Sequence, residues 1–156
     1  MTNVKTIYFD MDGTIANLYG VQNWLDYILN SDEFPYVNAA PLVNLQALAR
    51  RLNNLQKEGY KIGVISWLAK NSKPAYDEKV TRAKKEWLKK HLKSVCFDEI
   101  HIISYGTPKS TMANNEHCIL FDDEAPNLKE WMENCGKAFL PSEIFEVLTK
   151  LKKARV

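Results

Sequence analysis

Short apolar, β-branched runs alternate with segments of helical spacing along nearly the whole chain, and few folds accommodate that alternation. Residues 4–10, Lys61-Ile62-Gly63-Val64-Ile65-Ser66, Glu99-Ile100-His101-Ile102-Ile103, His117-Cys118-Ile119-Leu120-Phe121 and Lys137-Ala138-Phe139-Leu140 read as five strands. Residues 41–58 read as a helix, because Leu42, Leu45, Leu48, Ala49, Leu52 and Leu55 recur at three and four. Pro41 at its start and Gly59 just past its end fit the usual asymmetry of helix termini. Residues 76–92 read as a second helix, with Tyr76, Val80, Ala83, Trp87, Leu88 and Leu92 on one face and Lys84, Lys85, Lys89 and Lys90 as a solvated face. Residues 125–135 and 142–153 also have helical spacing. Strands joined by helices imply right-handed crossovers and a parallel sheet covered on both faces.

The length of 156 residues makes one domain the expectation, and 46% hydrophobic with 26% charged residues is ordinary for a globular chain. With 21 basic against 19 acidic residues, the net charge of +2 gives no general argument for nucleic acid as a partner. Cys96, Cys118 and Cys135 have no metal-like spacing and are expected to be reduced, mostly buried thiols of a cytoplasmic protein. No run has the apolar length of a membrane span, and the first strand begins too early for a signal peptide to be expected.

Polar chemistry sits at the carboxyl end of each strand. The first ends in Asp10-Met11-Asp12-Gly13-Thr14, the second in Ser66, and the fourth in Asp122-Asp123-Glu124. The third leads into Ser104-Tyr105-Gly106-Thr107-Pro108-Lys109-Ser110. A parallel sheet gathers such ends, and ligands of open α/β sheets bind beyond them. Paired carboxylates suit magnesium, which takes oxygen ligands and keeps several waters. A carboxylate can also attack phosphorus. Each motif has a plainer reading as well: an Asp-Gly turn at 12–13, a helix N-cap at Ser66, a surface lysine at 109, and a cap of the following helix at Asp122-Asp123. Thr14 reads as a turn residue that either touches phosphate or does not.

In this order the four motifs resemble the magnesium-dependent phosphatases of the haloacid dehalogenase (HAD) superfamily, over essentially the whole chain. The resemblance implies a Rossmann-like three-layer α/β/α sandwich with a mainly parallel five-stranded sheet. It implies that Asp10 is nucleophile and Mg2+ ligand. Asp12 would be general acid/base, and a metal ligand through its backbone carbonyl. Ser66 would hydrogen-bond the phosphoryl group, and Lys109 would neutralise its charge and keep Asp10 ionised. Asp122 would be the second metal carboxylate, supported by Asp123.

HAD phosphatases differ mainly in cap insertions, and residues 17–40 leave room only for a small one. Residues 21–30 read as helical, and Phe34-Pro35-Tyr36 as an aromatic loop. Trp24, Tyr27, Phe34 and Tyr36 either pack this minimal cap or bind substrate by stacking on a flat ring. The short aromatic cap and Ile119-Leu120-Phe121-Asp122-Asp123 are similar to the cytosolic 5′(3′)-deoxyribonucleotidase branch, which implies a small phosphorylated substrate such as a nucleotide. Ser66-Trp67-Leu68 departs from that branch's threonine-led motif. The alternatives are a phosphatase of a nucleic-acid end or phosphoprotein, with Lys70, Lys73 and the basic helix as contacts, and a non-catalytic binding module.

Overall fold

The computed structural model describes residues 4–154. Strand β1 (Thr6–Phe9) is followed by a two-stranded antiparallel ribbon, β2 (Ala16–Asn17) with β3 (Ala40–Pro41). Helices α1 (Trp24–Leu29) and α2 (Phe34–Asn38) lie between the two ribbon strands. Then come α3 (Leu45–Lys57), β4 (Lys61–Trp67), α4 (Pro74–His91), β5 (Glu99–Ile103), β6 (Cys118–Phe121), α5 (Ala125–Asn134), β7 (Lys137–Phe139) and α6 (Ile144–Ala154). The main sheet has the order β5-β4-β1-β6-β7 and every pairing in it is parallel.

Strand alternation sends Ile7 and Phe9 to one face and Tyr8 to the other. On the first face, Leu48, Leu52 and Leu55 of α3, Trp87 and Leu88 of α4, and Val147, Leu148 and Leu151 of α6 complete the main core. On the second, Trp131 of α5 packs with Tyr8, Ile65 and Leu120. Gly63 makes room for the Tyr8 ring, since a Cβ there would lie 2.6 Å from it. The result is the three-layer sandwich expected from the alternation.

Several local expectations give way to tertiary structure. The helix expected from Pro41 begins at Leu45, because Asn44 supplies the N-cap and accepts a hydrogen bond from the Ala47 N–H at 3.0 Å. Pro41 belongs to the ribbon, and Leu42 is exposed. The aromatic loop at 34–36 is helix α2, started by Pro35 and by Asp32 accepting from the Phe34 N–H. Cys118 is buried, but Cys135 is half-buried and Cys96 exposed. Among the described residues, no helix is long and apolar enough to cross a membrane.

The segment between β2 and β3 folds onto the first half of α4. Leu18 and Tyr36 from this segment meet Tyr76, Val80 and Ala83 in a small core of their own.

Candidate active site

Sheet register builds the floor of the site. Phe9 pairs with Phe121, so the next residues, Asp10 and Asp122, emerge side by side beyond the carboxyl ends of β1 and β6. The ladder continues one step, with the Asp10 N–H donating to Phe121 O and the Asp122 N–H to Phe139 O. The chain leaves β1 toward β4 on one side and reaches β6 on the other, so the crevice between β1 and β6 lies where the strand order reverses.

After Asp10 the chain coils tightly. The N–H groups of Thr14, Ile15 and Ala16 all donate to Met11 O at 2.9–3.0 Å. Gly13 has φ +82°, and a Cβ on it would lie 2.3 Å from Asp123 Oδ2, so conformation and space both require glycine. Thr14 is fully buried, and its hydroxyl is shared between Asp10 Oδ2 at 3.2 Å and Asp123 Oδ1 at 3.3 Å. Carboxylate oxygens of Asp10, Asp122 and Asp123 lie within 4.8 Å of one another. This is a hard-oxygen donor set that fits a magnesium ion.

Lys109 reaches the floor from the 3₁₀ turn Lys109–Met112. Its ammonium donates to Asp10 Oδ1 at 2.9 Å and to Asp122 Oδ2 at 2.7 Å, and the group is 2% exposed. The turn is held in place by Glu130 of α5, whose carboxylate accepts from the Ser110 N–H and hydroxyl. Burial works to lower the Lys109 pKa, but the Asp10 and Asp122 carboxylates outweigh it and raise the value. Asp122 is fully buried and also accepts from the Glu124 N–H and Asn127 Nδ2. Burial first, and then the neighbouring Asp10 charge, push Asp122 up to about 6 and Asp123 up to about 7.

The Asp12 side chain turns away from these carboxylates. Its Oδ2 accepts from Lys84 Nζ at 2.9 Å. Lys84 is 1% exposed and also donates to Ser66 Oγ at 2.7 Å and Trp67 O at 2.6 Å. This corrects the assignment of Lys84 to the solvated face; Lys85, Lys89 and Lys90 are exposed as expected. The signal was present in the sequence, since Lys84 lies four residues from both Val80 and Leu88 and so falls inside the apolar stripe. Burial raises the Asp12 pKa, with Lys84 opposing the rise. Ser66 is no helix N-cap: it lies within β4, fully buried, and α4 starts only at Pro74.

A cavity of about 950 Å³ opens above this floor. Asp10, Asp12, Lys109 and Asp123 line its base, whereas Ser66, Asp122 and Lys84 lie behind it. Of the four cap aromatics singled out in the sequence, Trp24 and Tyr36 line the cavity. Tyr27 and Phe34 do not; they stack on each other at 4.6 Å, which satisfies their apolar faces locally. The sequence reading missed Tyr19, Trp67, Tyr76 and Tyr105, which also line the cavity. Trp67 packs against Tyr105 at 5.0 Å, with its indole N–H donating to Thr107 O at 2.8 Å.

A scan against protein-family models finds no match, nor does a search of curated proteins. Solved structures do resemble the chain. One is a HAD-superfamily hydrolase from Ehrlichia chaffeensis, 14% identical, with a TM-score of 0.55 over 97% of this chain and 98% of that one. Another is a HAD family enzyme from Bacteroides thetaiotaomicron in complex with magnesium and inorganic phosphate. It is 12% identical, with a TM-score of 0.52 over 88% of this chain and 94% of that one. A third is D,D-heptose 1,7-bisphosphate phosphatase from Burkholderia thailandensis, 13% identical, with a TM-score of 0.53 over 83% of this chain and 73% of that one. The likeness at these identities is one of architecture: this chain has the fold of the HAD hydrolases.

Proposed function

We propose that the chain is a magnesium-dependent phosphomonoester hydrolase working through an aspartyl-phosphate on Asp10. Its substrate would be a small phosphate whose leaving group carries a flat ring, with (deoxy)nucleoside monophosphates the first candidates. The observation that carries this reading is the Lys109 ammonium held between Asp10 and Asp122 at the base of an open cavity. Asp10, Asp122 and Asp123 would hold the metal, together with the Asp12 carbonyl; when bound, Mg2+ neutralises charge between the carboxylates and the phosphoryl group. The Bacteroides neighbour, crystallised with magnesium and inorganic phosphate, supports magnesium as the metal.

The chain's own residues supply the remaining chemistry. An Asp10 oxygen bonds to phosphorus as the bond to the leaving oxygen breaks, and Asp12 passes a proton to that oxygen. Water then attacks phosphorus and gives a proton back to Asp12. The bond to Asp10 breaks, releasing phosphate. Lys109 has two N–H groups committed to carboxylates and lines the cavity, so its third N–H is available to a phosphoryl oxygen. The aromatic walls contributed by Trp24, Trp67 and Tyr105 favour a planar leaving group.

The test is turnover of p-nitrophenyl phosphate with magnesium and with chelator, followed by a panel of nucleoside monophosphates, sugar phosphates and phosphorylated oligonucleotides. Magnesium-dependent phosphate release is expected, with nucleoside monophosphates preferred. Absence of release from every member of the panel rules the reading out.

A further inference from the structure

We infer that Lys84 is a positioning residue that fixes the acid/base carboxylate of Asp12 and never touches the phosphoryl group; the inference rests on the phosphatase reading above. An ammonium has three N–H donors. Those of Lys84 match three acceptors: Asp12 Oδ2, Ser66 Oγ and Trp67 O, at 2.9, 2.7 and 2.6 Å. Lys84 lies behind the cavity wall, and the Tyr36 ring closes over its ammonium at 5.2 Å from the centroid. Lys109 differs on each count, with two carboxylate partners and a place in the cavity lining. The two buried lysines therefore divide the work.

The clamp has two effects on Asp12. Its Oδ2 is taken by Lys84, while Oδ1 makes no hydrogen bond among the described residues and belongs to a side chain that lines the cavity. Oδ1 is thus the oxygen that meets the leaving group. The clamp also keeps Asp12 out of the carboxylate cluster of Asp10, Asp122 and Asp123, whose oxygens lie within 4.8 Å of one another. Freed from Lys84, the Asp12 carboxylate can turn toward that cluster and leave the leaving oxygen without a proton donor. Ser66 Oγ and Trp67 O serve as the pedestal that holds the ammonium in place from the end of β4.

The experiment compares leaving groups, because p-nitrophenolate departs without a proton and an alkoxide does not. In Lys84→Met, a chain of similar length without donors, kcat/KM for an alkyl phosphate such as glycerol phosphate should fall by about 10²-fold or more. The fall for p-nitrophenyl phosphate should stay within about tenfold, since little acid catalysis is lost there. KM for both should change little. Lys84→Gln keeps an N–H donor on a shorter chain and should lie between wild type and Lys84→Met, which also covers the case that Met at a buried site prevents folding. Equal losses on both substrates in a folded variant, or a raised KM with kcat unchanged, overturn the positioning role. A wild-type protein that hydrolyses neither phosphate removes the phosphatase reading and this inference with it.

Discussion

Four carboxylates and two ammonium groups meet at the cavity floor or directly behind it: Asp10, Asp12, Asp122 and Asp123 against Lys84 and Lys109. The surplus negative charge matches one divalent cation, and it adds to burial in raising the pKa values of Asp122 and Asp123. At this scale the role of Asp10 has a direct check. Asp10→Asn keeps one oxygen for a metal but loses nucleophilicity, so phosphate release should drop to background while calorimetry still detects magnesium binding. Steady turnover by the purified variant would contradict the covalent route. Gly13 offers a second check. Forcing a Cβ into a left-handed conformation costs about 1–2 kcal/mol, and here it also displaces Asp123 from beneath it. Gly13→Ala should lower both the melting temperature and the magnesium affinity. Unchanged magnesium affinity would place Asp123 outside the metal site.

At the scale of elements, features set by periodicity were legible in the sequence and features set by contact were hidden. The apolar stripe of α4 is plain at 76, 80, 83, 87 and 88. Lys84 inside it reads as solvated because lysine is ordinarily outside, and only the approach of Asp12 and Ser66 explains a buried ammonium. The concentration of aromatics between β2 and β3 is plain in the sequence, but which of them face the cavity depends on how α1 and α2 dock on α4. Trp67 and Tyr105 were equally hidden, because parallel pairing of β4 with β5 brings the ends of those strands together. These placements divide the aromatics into two groups. Trp24→Ala and Trp67→Ala should lower kcat/KM for a nucleoside monophosphate roughly 10–100-fold and spare a ring-less phosphate. Tyr27→Ala and Phe34→Ala should affect both substrates alike and little, the cost appearing in thermal stability. If Tyr27→Ala proves as selective as Trp24→Ala, the cavity walls have been assigned to the wrong side of the insertion.

For the molecule as a whole, the same floor that suits a metal should destabilise the fold when no metal is bound. The parallel sheet and the convergence of its polar carboxyl ends at one edge could be read from strand–helix alternation, whereas Lys109 was singled out there only by the family resemblance. The charge state of that edge could not, since it depends on how deeply each carboxylate is buried. Burial and the Asp10 charge push Asp122 up to about 6 and Asp123 up to about 7 in the folded chain, against about 3.9 for an aspartate in the unfolded one, and burial raises Asp12 in the same direction. Between about pH 4 and 7 the folded state therefore binds protons that the unfolded state has released, and stability must fall as pH rises through that window. In chelator the protein should melt at a higher temperature at about pH 5.5 than at about pH 8. A magnesium ion held by these groups would require them deprotonated, so its addition should raise the melting temperature more at the higher pH than at the lower. Asp123→Asn removes one of these raised carboxylates and should flatten the dependence in chelator, most visibly above about pH 6. A metal-free protein that is as stable at the higher pH as at the lower would show that the buried carboxylates carry no such cost.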